Sequence, residues 1–133
     1  MKHIDKYIIR DILDDLHVAT SYDDEGDLMI VQQADEDFVY DVLIYILVNN
    51  DRLTYIAYAP GYEPRGNLYE LANRNNCRKN LPMAVVREGQ IRMEYSFLLD
   101  EEVSREYIRE NCIGMTLGAI WHAFVDLEKE DVR

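Results

Sequence analysis

Cys77 is the side chain whose neighbours most favour chemistry, because Arg78 and Lys79 follow it directly. Adjacent cations favour the reactive thiolate form of a cysteine. A nucleophilic enzyme also needs a base and a group that stabilises the developing negative charge, and the sequence near Cys77 offers neither. We therefore predict that Cys77 and Cys112 are structural, buried thiols that form no disulfide.

Two other groups of residues could bind a metal ion. If Gly26 is placed sixth in a calcium-binding loop, the twelfth position is Gln32 rather than the bidentate glutamate that calcium requires. The residues 23–27 are instead typical of a hairpin turn. His3, His17 and His122 lie in separate segments, none with a second histidine or a cysteine three or four positions away. We expect no metal, no cofactor and no catalytic residues, so the chain is predicted not to be an enzyme.

The charge balance limits the possible partners. The 133 residues include 26 acidic and 14 basic ones, for a formal net charge of −12. A polyanion is repelled by such a field unless a basic patch is set apart on one surface. The only basic concentration is Arg74, Arg78 and Lys79, which is too small for a nucleic-acid interface. We expect no nucleic-acid partner.

The length and hydropathy pattern predict one domain over residues 1–133. Residues 1–17 have no apolar stretch of the kind found in a signal peptide, and no run of about 18 apolar residues could span a membrane. We therefore predict a bacterial cytoplasmic protein without a membrane partner.

The elements of the first half follow from its periodicities. Residues 3–17 carry isoleucines and leucines along one side and charges along the other, which predicts an amphipathic helix. Strands are predicted at residues 28–31, 39–48 and 53–59. Because residues 39–48 are apolar at nearly every position, we expect this strand to be central and covered on both faces.

The second half begins with a proline-containing connector at residues 60–66 and a short helix capped by Asn67. A hairpin is predicted to turn at Glu88-Gly89, with strands at 83–87 and 90–98. Ser104 can cap a last helix over about 105–130, which we expect to bury Trp121 against one face of the sheet. The predicted fold is α+β, with the order α-β-β-β-α-β-β-α and a five-stranded antiparallel sheet.

Four residues are candidates for an interaction site. Tyrosine is enriched at protein interfaces, and Tyr58 and Tyr62 border the 60–66 connector, where we expect them to be exposed. Gly114 and Gly118 form a pair that permits close approach of another backbone. That approach could come from a strand or helix of the same chain, or from a partner subunit.

Residues 68–125 resemble the YbjN family of bacterial proteins. The resemblance rests on LYELANRNN with its spaced asparagines, the Leu81-Pro82 step, the Glu88-Gly89 hairpin, Val103-Ser104 before the last helix, and Trp121. It implies a fold similar to that of type III secretion chaperones, which are small acidic α+β dimers that hold extended segments of other proteins. The family is associated with regulation of sensory transduction, and it implies no catalytic residues.

Two classes of function remain open on these grounds. The first is a non-catalytic protein-binding domain, regulatory or chaperone-like, that binds a protein or peptide and forms a homodimer. The second is a small-molecule sensor or enzyme built on the same sheet. A deep pocket with convergent polar groups would favour the second class, whereas an exposed apolar groove or sheet edge would favour the first.

Overall fold

A computed structural model describes residues 4–49, 51–99 and 102–131. Over these residues the chain forms a six-stranded antiparallel sheet and three helical regions, which confirms the α+β class. The sheet order is β1-β2-β3-β4-β6-β5. In chain order the elements are α1 (Lys6–Asp15), β1 (Ser21–Tyr22), β2 (Leu28–Gln32), β3 (Val42–Asn49), β4 (Arg52–Tyr58), α2 (Leu68–Arg78), β5 (Met83–Arg87), β6 (Gln90–Leu98), α3 (Arg105–Tyr107), a π-helical segment (Ile108–Gly114) and α4 (Met115–Glu130).

The prediction of five strands is wrong by one. The additional strand, β1, consists of only Ser21 and Tyr22, which pair with Met29 and Leu28 of β2. Two residues are too few to produce an alternating pattern, so sequence periodicity does not reveal this strand. It forms because the turn that follows it returns the chain directly onto its neighbour.

That turn, at residues 23–27, is confirmed as a hairpin turn. The Asp23 carboxylate accepts hydrogen bonds from the backbone N–H groups of Glu25 and Asp27, both at 2.9 Å. Gly26 has φ +84°, a conformation that glycine adopts without strain. The hairpin between β5 and β6 turns at Glu88 (φ +52°) and Gly89 (φ +77°), as predicted. These two hairpins therefore both turn at a Glu-Gly pair.

The expectation that β3 is covered on both faces is wrong. Its alternate residues Val42, Ile44 and Ile46 are buried, whereas Leu43, Tyr45 and Leu47 remain partly exposed. The physical reason is that the helices cover one face of the sheet only. The apolar run of β3 thus supplies both the core and a surface that the helices leave open.

The last helical region covers the buried face. Ser104 caps it as predicted, accepting a hydrogen bond from the Tyr107 N–H at 3.0 Å. The helix includes a π-helical segment at Ile108–Gly114, which the sequence pattern did not predict. The buried Tyr55 hydroxyl donates a 2.5 Å hydrogen bond to the Cys112 carbonyl of this segment. This bond fixes the helix over the centre of the sheet.

An aromatic cluster joins the last helix to the loops beside the sheet. Phe38 is fully buried, and its ring lies 5.4–5.6 Å from four neighbouring rings, those of Tyr40, Tyr62, Trp121 and Phe124. Trp121 itself is only half-buried, contrary to the expectation that it is a core residue. Phe38, rather than Trp121, is the centre of this cluster.

Candidate functional site: the open face of the sheet

The face of the sheet opposite the helices carries a groove. Tyr55 points toward the helices, so its neighbours along β4, Thr54 and Ile56, point the other way. On this open face lies a groove with a volume of about 590 Å³. We call it the tyrosine groove; its floor is formed by Tyr45, Leu47, Ile56 and Tyr58. These four side chains are partly exposed, although three of them are in the centre of adjacent strands.

Tyr45 and Tyr58 lie side by side in the floor. Their rings are nearly parallel, at an interplanar angle of 7° with centroids 6.2 Å apart. Hydrogen bonding with Tyr58, followed by burial and by the negative charge of Asp23, raises the pKa of Tyr45. The Tyr45 ring therefore presents neutral aromatic surface at neutral pH. Tyr58, one of the predicted interaction residues, is half-buried rather than exposed, and it lines this groove.

The rim of the groove is acidic. Asp23, Glu25 and Asp27 line it from the first hairpin turn, and Glu88 lines it from the second. Among the described residues, no basic side chain lies within ion-pair distance of Glu25 or Asp27. Lys6 contacts this turn, and its ammonium group donates a 3.0 Å hydrogen bond to the Gly26 carbonyl rather than to a carboxylate.

Arg92 is the basic side chain that lines the groove. The Cζ atom of its guanidinium lies 5.8 Å from the centroid of the Tyr58 ring, within the range of a cation–π interaction. Its Nη2 atom is 3.9 Å from a Glu88 carboxylate oxygen. Its Nε atom is buried and makes no hydrogen bond within the part of the chain that the structure describes. Arg92 thus lies between the Tyr58 ring and the Glu88 carboxylate of the rim.

Tyr62 lies outside the groove and has a structural contact. Its hydroxyl donates a 2.6 Å hydrogen bond to the Asp131 carboxylate, which also accepts from the backbone N–H groups of Arg65 and Gly66 at 2.7–3.0 Å. Burial alone would raise the pKa of Asp131, but these hydrogen bonds outweigh it and lower the pKa. We refer to this arrangement as the Asp131 clamp; it fastens the connector to the end of α4.

The two glycines lie on the exposed side of the last helix. A Cβ atom added to Gly118 would meet no atom within 4 Å, and one added to Gly114 would approach only the Arg109 carbonyl of its own helix, at 3.1 Å. Within the described residues, neither glycine therefore admits a neighbouring strand or helix. Both line a second groove, of about 310 Å³, that Trp121 and Val18 also line. The alternative of a partner subunit remains a prediction.

The environment of Cys77 differs from the prediction of a buried thiol. Cys112 is buried, but Cys77 is exposed, and both are free. The cations beside Cys77 are engaged elsewhere: Arg78 pairs with Glu130, and Lys79 pairs with Asp126 at 2.6 Å. The Lys79 ammonium lowers the pKa of Asp126. Two of the three cations in this basic concentration, Arg78 and Lys79, therefore join the end of α2 to α4.

Tyr45, Arg92 and Asp131 were not among the functional residues predicted from the sequence. Tyr45 was not predicted as a surface residue, because the continuous apolar run of β3 does not indicate that one face of the strand is open. Arg92 lies in the predicted strand 90–98, where apolar and polar residues alternate, and that alternation is the signal that could have placed it on the same face as Tyr58. Asp131 follows the helix whose end was predicted at Glu130, and no local pattern indicates that it reaches the connector.

Comparisons with known proteins are consistent with this description. The scan against protein families matches residues 6–112 to YbjN, described as "putative bacterial sensory transduction regulator". No curated protein matched the chain. No solved structure matched it either, so the type III secretion chaperone-like fold stays a prediction.

Two further findings concern metal binding and membrane-spanning helices. Within the described residues, no group of three or more histidine, cysteine, aspartate or glutamate side chains is arranged to bind a metal ion. In the same residues, no helix has the length and apolar character needed to cross a membrane. The family match covers the two Glu-Gly turns and every strand of the tyrosine groove, and on this evidence the chain belongs to the YbjN family.

Proposed function

We propose that this chain is a non-catalytic, protein-binding regulatory domain, and that it holds a peptide segment of its partner in the tyrosine groove. The observation that carries the proposal is the open face of the sheet. Leu47, Ile56 and the tyrosine pair present apolar surface that the helices leave uncovered. Contiguous apolar surface of this kind marks interaction sites in proteins.

The shape of the groove favours a peptide. It runs across three adjacent strands, β3, β4 and β6, and is bounded by two hairpin turns. Peptide-binding surfaces combine apolar contacts along a groove with polar groups at its margins. This mode agrees with the chaperone-like function that the family resemblance implied, in which extended segments of other proteins are held.

A small-molecule sensor is the second candidate, and the volume of the groove favours it. Ligand pockets occupy about 300–1,000 Å³, and the tyrosine groove falls within that range. Such pockets usually enclose most of their ligand, whereas this groove lies on a sheet face bounded only by two turns. We therefore give the peptide-binding function precedence.

A selection of peptides tests the proposal. A random peptide library is displayed and selected on the immobilised protein, and the enriched peptides are measured by calorimetry against three proteins. These are the wild type, Leu47→Gln in the groove floor, and Met115→Gln as a matched control. Met115 is 57% exposed on α4, so its substitution removes a similar apolar side chain from a different surface.

We expect enriched peptides to bind the wild type and Met115→Gln equally, and to bind Leu47→Gln about fivefold or more weakly, because apolar contact area is lost. Peptides that bind all three proteins equally would contradict the proposal. So would a library that yields no binder while a small-molecule screen yields ligands that Leu47→Gln no longer binds; that outcome would establish the sensor function.

A further inference from the structure

We propose that the segment held in the tyrosine groove is positively charged, with Arg or Lys side chains beside aromatic or aliphatic ones. This inference rests on the proposed function and specifies the partner of the same site. It depends on three features of the groove: an acidic rim, a floor that includes two tyrosine rings, and a cation that the chain already places there.

The acidic rim favours a cationic occupant. Glu25 and Glu88 line the groove from opposite hairpin turns, and Asp23 and Asp27 add to the first side. Arg92 is the one basic residue among the described residues that line it. A neutral or acidic segment would bring no charge to compensate these carboxylates, whereas a basic one would make complementary contacts on both sides.

The floor favours the same occupant. Aromatic rings attract cations over their faces, and arginine makes this interaction more often than lysine. The guanidinium of Arg92 lies over Tyr58 and close to Glu88, which is the arrangement that a second arginine could adopt beside Tyr45 and Glu25. Aliphatic or aromatic side chains of the same segment would contact Leu47 and Ile56.

The charge of the whole chain assists the encounter. At a formal −12, the protein attracts basic segments over distances of about a Debye length, which raises the rate of association. Acidic segments are repelled over the same range. The long-range field and the local contacts therefore select the same chemistry.

Three capped peptides of equal length test the inference: one alternates Arg and Phe, one Gln and Phe, and one Glu and Phe. Affinity is measured at about 0.15 M salt, where exposed charges more than about 8 Å apart are largely screened. We expect the Arg peptide to bind at least about tenfold more tightly than the Gln peptide, and the Glu peptide to bind more weakly still.

Charge-reversed proteins locate the binding. Glu25→Lys and Glu88→Lys should each weaken the Arg peptide about three- to tenfold. Asp24→Lys is the control, because Asp24 is exposed on the same turn but does not line the groove. It makes the same change in net charge and should weaken binding less than about twofold. Circular dichroism checks that all variants are folded.

Each outcome decides between the claims. Equal binding of the Arg and Gln peptides, or equal effects of Asp24→Lys and Glu25→Lys, overturns the basic-segment inference and leaves the proposed function standing. Spermidine is added as a competitor. If it displaces the Arg peptide at concentrations similar to the dissociation constant of that peptide, the groove is a site for small cations and the inference is wrong. If no peptide binds at all, and the display selection also fails, the proposed function is wrong.

Discussion

At the scale of single residues, the most connected side chain outside the groove is Asp131. Its carboxylate accepts hydrogen bonds from Tyr62, Arg65 and Gly66, and the residue is 1% exposed. Hydrogen bonds to a charged group contribute about 1.5–3 kcal/mol each at most sites. The connector that borders the tyrosine groove through Pro60 is therefore positioned by one carboxylate.

We predict that Asp131→Asn destabilises the protein by about 2–3 kcal/mol at neutral pH, since the charge that strengthens these bonds is lost. Because the folded-state pKa of Asp131 is lowered, its contribution is fully present above about pH 4, the unfolded-state pKa of aspartate, and is lost as the pH falls through the folded-state pKa. Thermal unfolding across pH should show the difference between wild type and Asp131→Asn shrinking in acid. A difference that is independent of pH would contradict this account of the clamp.

A second prediction concerns the aromatic cluster. Phe38→Ala should cost about 3–5 kcal/mol of unfolding free energy, because a fully buried ring with four aromatic neighbours is removed. Trp121→Ala should cost about 1–3 kcal/mol, since the indole is only half-buried. Urea denaturation measures both values. If Trp121→Ala lowers the free energy of unfolding more than Phe38→Ala does, Phe38 is not the centre of the cluster.

At the scale of elements, sequence patterns predicted the turns, helix caps and helices that depend on neighbouring residues. The Glu88-Gly89 hairpin, the Asn67 and Ser104 caps, and the amphipathic first helix follow from turn residues, cap residues and apolar spacing, which act within a few positions. The faces of β3 could not be predicted in this way. Whether Tyr45 is buried or exposed depends on which face the helices cover, and that is decided by contacts distant in the sequence.

The π-helical segment at Ile108–Gly114 could not be predicted from local patterns either. Its residues have ordinary helix-forming patterns, and the hydrogen bond from Tyr55 to Cys112 comes from a strand 57 positions earlier. The glycine pair was recognised in the sequence, but its surroundings were not. The spacing of the two glycines permits another backbone to approach closely, but it does not indicate whether that backbone belongs to the same chain or to a partner subunit.

Two glycine substitutions test the environment of these elements. Gly118→Ala should stabilise the monomer by about 0.5–1 kcal/mol, because the position is helical. Among the described residues, no atom lies within 4 Å of a Cβ atom added at this position. Gly89→Ala should destabilise it by about 1 kcal/mol, since φ +77° strains an alanine even in open space. Chemical denaturation of the two variants should give opposite signs; a shared sign would show that one backbone environment is misassigned.

At the scale of the whole molecule, we propose that the exposed glycines face a second copy of the chain. The groove that Gly118 and Trp121 line has a volume of about 310 Å³, and Leu16, Val18 and Leu117 add apolar surface to it. Two subunits of formal charge −12 repel each other, so the contact must be largely apolar. A homodimer formed in this way would leave the tyrosine groove, on the other face of the sheet, free for a partner.

We predict that light scattering detects a dimer whose dissociation constant falls as salt is added, because salt screens the repulsion between subunits. Gly118→Leu should shift the equilibrium to monomer while leaving the melting temperature of the monomer unchanged or higher, since the side chain has room within one subunit. A wild-type protein that is monomeric at all salt and protein concentrations would exclude the dimer, without affecting the tyrosine groove.

The central claim is that partners bind on the open face of the sheet, and the most direct measurement is the change in backbone amide NMR shifts when a peptide from the display selection is added. We predict that the largest changes fall on β3, β4 and β6, around Tyr45, Ile56 and Tyr58, with changes also at the two Glu-Gly turns. Changes confined to α1 and α4, around Leu16 and Gly118, would place the binding site on the helical side and contradict the account.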